Sequence, residues 1–179
     1  PWLQDIIVFA LNTGMRRGEI LNLQWQAIDL NRQVLVVMRS KNGEKRTVPL
    51  NGRLTDLLKR KASKRAAGSF VFASSAETLF DARNLTRSFR LAATKAALSD
   101  FRFHDLRHTF ATRLAQAGVD LYKVQRLLGH KTAAMTQRYA HHSPESLRDG
   151  VLILERLHPQ ISQNYHNDGK SVGECCASA

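Results

Sequence analysis

The chain of 179 residues carries 27 Lys+Arg against 15 Asp+Glu, a net charge of +12, with 43% hydrophobic residues. That length suits one domain with a real core, and no apolar run or leader pattern marks a bilayer-spanning helix or a signal peptide. Its two cysteines, Cys175 and Cys176, are adjacent in a polar stretch, which excludes a disulfide framework and fits an intracellular, reduced protein.

The chain opens Pro1-Trp2 without an initiator Met, as a fragment or processed product would. Leu3, Ile6, Ile7, Ala10 and Leu11 predict a helix over 2–12, ended by Thr13-Gly14. A second short helix is predicted from Arg17 to Trp25. Ile28–Leu30, Val34–Met38 and Lys45–Leu50 predict three strands, with turn chemistry at Asn31-Arg32 and at Lys41-Asn42-Gly43-Glu44. A basic amphipathic helix is expected over 53–65 on Leu54, Leu57, Leu58 and Ala62, and a brief strand at Phe70-Val71-Phe72. From 84 onwards the pattern is helical, at 84–98, 104–117, 120–128, 132–140 and 144–157. Gly118 and Gly129 fit helix C-termini, Asp120 an N-cap, and Ser143-Pro144 an N-cap with proline at the first helical position. After Pro159 the composition turns polar, and that stretch is expected to be mobile. The expected fold class is α+β, mainly α-helical, with a small three-stranded antiparallel sheet. The expected organisation is one domain over 1–158 and a polar tail over 159–179.

The charge is unevenly placed. Residues 39–65 hold ten Lys/Arg and two acids, and residues 121–144 hold no acid. Such a field favours a polyanion, with nucleic acid the commonest candidate. Arg outnumbers Lys 18 to 9, which leans towards phosphate, because a guanidinium fork binds two oxygens at once.

Six residues carry candidate chemistry. Arg16 follows Thr13-Gly14-Met15, with Arg17 as a competitor for the same job. Lys41 sits in the hairpin connection. His104 and Arg107 are three apart on one predicted helix, so both can touch a single phosphate. His130 closes Leu127-Leu128-Gly129-His130, and Tyr139 follows nine residues later beside Arg138. Each alone has an ordinary explanation: a solvated arginine, a loop lysine, a stray ion pair, a helix-capping histidine, a half-buried core aromatic. Together they supply two guanidinium groups, an ammonium, two imidazoles and a phenol. That set suits a phosphodiester attacked by a tyrosine among fixed cations. A competing pattern is the His-x-x-x-His spacing of His104 and His108, which zinc metalloproteases share, with Asp105 where their Glu stands. Such a zinc hydrolase needs a third ligand and a Glu base, and Arg107 would set a cation beside the metal. A DNA-binding module without catalysis is a further alternative, opposed by the intact set of reactive residues.

Taken in order, TGMRRGEIL (13–21), RSKNGEKRTVPL (39–50), HDLRHTFATRLAQAG (104–118), VQRLLGH (124–130) and MTQRYAH (135–141) resemble the catalytic domain of tyrosine recombinases, the family of phage integrases and Xer-type resolvases. The resemblance covers about residues 2–157 and includes no counterpart of the core-binding domain that usually precedes this one. It implies a site-specific recombinase or integrase that cleaves and religates DNA strands through a 3′-phosphotyrosyl intermediate. A type IB topoisomerase-like relaxing enzyme, which shares the chemistry, is the alternative. By the resemblance, Tyr139 is the nucleophile and Arg16 and Arg107 clamp the non-bridging oxygens. Lys41 protonates the leaving 5′-oxygen, His104 is placed for proton transfer with the tyrosine, and His130 adds a hydrogen bond to the phosphate. His108 is assigned to bracing its helix. No cofactor and no metal are implied. The implied partners are double-stranded DNA carrying recombination sites, a homotetramer on that DNA with the segment after the nucleophile docked on a neighbouring protomer, and accessory DNA-bending proteins. The implied location is the cytoplasm of a bacterium, associated with the nucleoid, for a chromosomal or phage gene.

Overall fold

A computed structural model describes residues 2–38, 45–63, 70–74, 78–140 and 151–153. Helix α1 (Trp2–Thr13) buries Ile6, Phe9, Ala10 and Thr13, the spacing of a core-facing stripe. It stops where the Thr13 hydroxyl donates back to the Phe9 carbonyl at 2.8 Å and Gly14 turns to φ +61°. Helix α2 spans Arg17–Leu21, shorter than the predicted run to Trp25. Asn22 closes it, its side-chain amide donating to the Gly18 carbonyl at 2.8 Å, the backbone competition that makes Asn a helix ender. Gln24 then bridges to Phe70, and Trp25–Ala27 form a single 3-10 turn.

Strands β1 (Ile28–Asp29), β2 (Val34–Met38) and β3 (Lys45–Pro49) form an antiparallel sheet in that order, with Leu35 opposite Val48 and Val37 opposite Arg46. Alternation puts Leu35, Val37 and Val48 on the buried face. Residues 39–44, Lys41 among them, connect β2 to β3 and lie outside the described residues. The strand expected at 70–72 reduces to the Gln24–Phe70 bridge; Val71 and Phe72 bend into the core instead.

Helix α3 (Gly52–Ser63) buries Leu54, Leu57 and Leu58. Helix α4 (Ala82–Lys95) begins two residues earlier than predicted because the Asp81 carboxylate accepts from the backbone of Arg83 and Asn84 at 2.7 and 2.8 Å. It ends short of 98 because Ala97 adopts φ +55° and Leu98 N–H bonds back to the Ala93 carbonyl at 3.0 Å, a Schellman closure. Helix α5 (Asp105–Gln116) closes the same way at Gly118, and α6 (Leu121–Leu128) runs from the Asp120 cap to a left-handed Gly129. Helix α7 is only Ala134–Gln137, not 132–140, and Ala133 at its start offers no side-chain cap.

Among the described residues two apolar clusters result. The larger gathers Ile6, Phe9, Ile20, Leu35, Leu54 and Leu85 with their neighbours. The smaller is Phe110, Ala111, Val124, Leu128 and Tyr139. These lie in a compact unit spanning Pro1–Ala140; residues 151–153, which are helical, belong to a second unit, His141–Ala179. The rest of the helix predicted at 144–157, with Ser143-Pro144, lies outside the described residues. No helix among the described residues is long and apolar enough to cross a membrane.

Candidate active site

The turn after α1 builds the first part of the site. Gly14 is left-handed, and a Cβ there would stand 2.4 Å from the Phe110 ring, so the backbone can lie against α5 only as glycine. Its carbonyl accepts from Arg107 Nη1 at 2.6 Å, and Arg107 Nη2 donates to the Leu128 carbonyl at 2.8 Å. The Leu128 carbonyl is one of the orphan acceptors at the end of α6, so a buried cation caps that helix and meets the negative end of its dipole. Burial, then the charge of Arg16, lowers the Arg107 guanidinium to about 10, which leaves it cationic at neutral pH.

Arg16 precedes α2 and is held by Glu19, whose carboxylate accepts from the Arg16 backbone N–H at 2.8 Å and from its Nη1 at 3.2 Å. Glu19 also takes both Nη atoms of Arg46, at 2.9 and 2.6 Å. Arg46 Nε donates in turn to the Leu127 carbonyl at 3.0 Å. One arginine on β3 thus ties the sheet to α2 and to the end of α6. Burial alone would raise the Glu19 carboxyl, but hydrogen bonding and charge from Arg46, then Arg16, hold it at about 2. Neither Glu19 nor Arg46 was among the candidates from sequence. The available signal was a charged residue at 46, in phase with buried Val48 on a short strand.

The end of α6 leads to the nucleophile candidate. His130 Nδ1 bonds the buried Thr136 hydroxyl at 2.9 Å, and Tyr139 N–H donates to the Thr136 carbonyl at 2.9 Å. Tyr139, in the turn after α7, is only 5% exposed and packs in the smaller cluster. Its hydroxyl meets His108 Nδ1 at 2.5 Å. The hydroxyl therefore lies on His108, the residue assigned from sequence to bracing, and not on His104, whose ring stands perpendicular to that of His108 with centroids 5.0 Å apart. Burial raises the Tyr139 phenol, against the opposing pull of Arg138 and Arg107. Burial, then the charges of Arg107 and Arg16, lowers His130 to about 4; burial, then His108 and Arg107, lowers His104.

These influences define one neighbourhood: the charge of Arg107 bears on Tyr139, His104 and His130, and that of Arg16 on both histidines and on Arg107. The structure brings five of the six sequence candidates together; the sixth, Lys41, lies outside the described residues. A hollow of about 480 Å³ opens beside Arg16 and His104, lined also by Arg17, Arg90 and Arg102 and, among the described residues, by no carboxylate. Among the described residues no three His, Cys, Asp or Glu side chains gather where they could hold a metal ion, so His104 and His108 have no third protein ligand there.

Residues 2–146 match the phage integrase family model. The chain is 32% identical to the integrase of Salmonella phage P22 over 93% of its own length and 47% of that protein. It is 34% identical to tyrosine recombinase XerA of Saccharolobus solfataricus over 82% of its length and 48% of that protein. Among solved structures, the XerH site-specific recombinase bound to its difH substrate in a pre-cleavage complex superposes with a TM-score of 0.71 at 26% identity, covering 86% of this chain and 46% of that one. The chain spans about half the length of the curated relatives it matches. With its mainly helical fold, its three-stranded antiparallel sheet and this match over most of its length, the chain belongs to the phage integrase family of tyrosine recombinases.

Proposed function

We propose that this chain is the catalytic domain of a site-specific DNA recombinase that breaks and rejoins strands through Tyr139. The observation that carries this is one buried cation, Arg107, fixed by the carbonyls of Gly14 and of Leu128, which packs in one cluster with Tyr139. Attack of the tyrosine on a DNA phosphate gathers negative charge on the non-bridging oxygens. Arg107, already fixed by two carbonyls, and Arg16, held by Glu19, offer their remaining N–H groups there without reorganisation. His130 has committed Nδ1 to Thr136 and has Nε2 for the phosphate. Lys41 is the proposed acid for the leaving 5′-oxygen. The phosphotyrosyl bond retains the energy of the broken phosphodiester, so a 5′-hydroxyl can reverse the step.

Double-stranded DNA is the proposed substrate, supported by the basic hollow beside Arg16 and by relatives solved on DNA. With it we propose a tetramer on paired sites, accessory DNA-bending proteins, nucleoid association, and a family domain reaching about residue 158. The test is a nicked suicide duplex incubated with the chain. A covalent protein–DNA adduct is expected, and Tyr139→Phe should abolish it while leaving DNA binding intact. An adduct that survives Tyr139→Phe would remove this function from Tyr139. Joining of two separate site-bearing duplexes would support a recombinase, whereas plasmid relaxation without joining would favour the topoisomerase-like alternative.

A further inference from the structure

We infer that His108 takes the proton of the Tyr139 hydroxyl as that oxygen attacks phosphorus, an assignment that rests on Tyr139 being the nucleophile. A general base must lie within hydrogen-bonding reach of the proton it removes. His108 Nδ1 is 2.5 Å from the Tyr139 oxygen, with ring centroids 5.9 Å apart and planes at 46°. A proton leaving along that hydrogen bond arrives at His108, whose ring stands perpendicular to that of His104 at 5.0 Å between centroids.

The surroundings explain why the tyrosine needs such an acceptor. Tyr139 packs with Phe110, Val124 and Leu128, and burial raises its phenol, so it is neutral at physiological pH and a weak nucleophile. Arg107 on α5 and Arg138 beside the tyrosine favour the phenolate. On the other side, His108 borders a hollow of about 510 Å³ shared with Asp105, Thr112 and Gln116. The arrangement calls for neutral His108 with its proton on Nε2, so that the Nδ1 lone pair faces the hydroxyl.

The step balances as follows. The Tyr139 O–H bond breaks and an N–H bond forms on His108 Nδ1. The phenolate oxygen bonds to phosphorus, the P–O5′ bond breaks, and the departing oxygen takes a proton from a separate acid, for which Lys41 is proposed. On religation the Tyr139 oxygen leaves phosphorus and recovers its proton from His108.

The test measures single-turnover cleavage of the nicked duplex by His108→Asn, alone and with Tyr139 replaced by 3,5-difluorotyrosine. Asn keeps an acceptor near Nδ1 but takes no proton. The expected result is cleavage slowed by about 10²–10⁴, the usual contribution of a general base, with DNA affinity and thermal unfolding unchanged. The more acidic difluorotyrosine should recover at least about tenfold of that loss while altering the parent little. If thermal unfolding shows that the Asn variant is destabilised, His108→Gln serves in its place. Cleavage at the parent rate, or an equal effect of difluorotyrosine in both backgrounds, would overturn the proton-acceptor role. Adduct formation by Tyr139→Phe would instead overturn the nucleophile assignment beneath it.

Discussion

Arg107 reaches through its two Nη atoms to the carbonyls of Gly14 and Leu128, 93 and 21 residues away in the chain, and is 4% exposed. Tyr139, in the same site, sits just past a four-residue helix, α7, and is kept by the His108 contact, the Thr136 turn and a small apolar cluster. Arg107 is thus tied both to the turn after α1 and to α6 of the smaller cluster, while Tyr139, the proposed nucleophile, packs in the smaller cluster alone. Short elements with few buried neighbours open at low free energy. For the roles proposed above, the difference makes Arg107 the more firmly fixed group and Tyr139 the one whose placement is more easily adjusted.

The sharpest way to break this comparison is Arg107→Lys. Lysine keeps the charge but cannot span both carbonyls. Cleavage should fall by about 10²–10³, the typical loss for one transition-state donor. Stability should also drop by about 1–3 kcal/mol, as a buried carbonyl loses its partner. Near-parent cleavage with unchanged unfolding would show that Arg107 is neither a clamp nor a cap.

A second experiment contrasts the clusters. Leu54→Ala in the large core and Leu128→Ala in the small one remove side chains with 0% exposure, and each should cost about 2–5 kcal/mol. Only Leu128→Ala is expected to speed amide exchange at Thr136 and Tyr139 and to reduce cleavage at temperatures where both variants remain folded. Equal effects on cleavage would mean that the two regions are not mechanically distinct.

Much of this division was legible in sequence and part of it was not. Local signals served well: the Thr13-Gly14 break, the Asp120 cap, Gly129 in its left-handed turn and the alternation of β2 each depend on residues a few positions apart. The order and spacing of the motifs also pointed to Arg16, His104, Arg107, His130 and Tyr139 as one group. What escaped were pairings over long separations. Glu19 finds Arg46 27 residues away, and His108 finds Tyr139 31 residues away. Periodicity carries no information about such contacts, so His108 looked like a brace and Arg46 like one more surface cation. Helix lengths failed where side chains decided them, at Asn22, Asp81 and the uncapped Ala133.

The smallest expected effect concerns acid. Glu19 is held at about 2 when folded, against 4.5 for a free side chain. Its stabilisation is complete above about 4.5 and is lost as pH falls towards 2. His130 is held at about 4, against 6.5, so the unfolded chain binds its proton first and stability declines as pH falls from about 6.5 to 4. Thermal melts should show a fall in Tm across both windows, flattened in the upper one by His130→Gln and in the lower one by Glu19→Gln. Melts independent of pH in these variants and in the parent would contradict the burial and pairing described for both groups.

The central claim, that Tyr139 is the group that joins this chain to DNA, is tested most directly by mapping the trapped adduct. After nuclease and tryptic digestion, mass spectrometry should find the nucleotide remnant on the peptide of residues 139–148, joined through the Tyr139 oxygen to a 3′-phosphate. A remnant on Tyr122, a 5′-phosphate linkage, or a cleaved duplex with no covalent protein would contradict it.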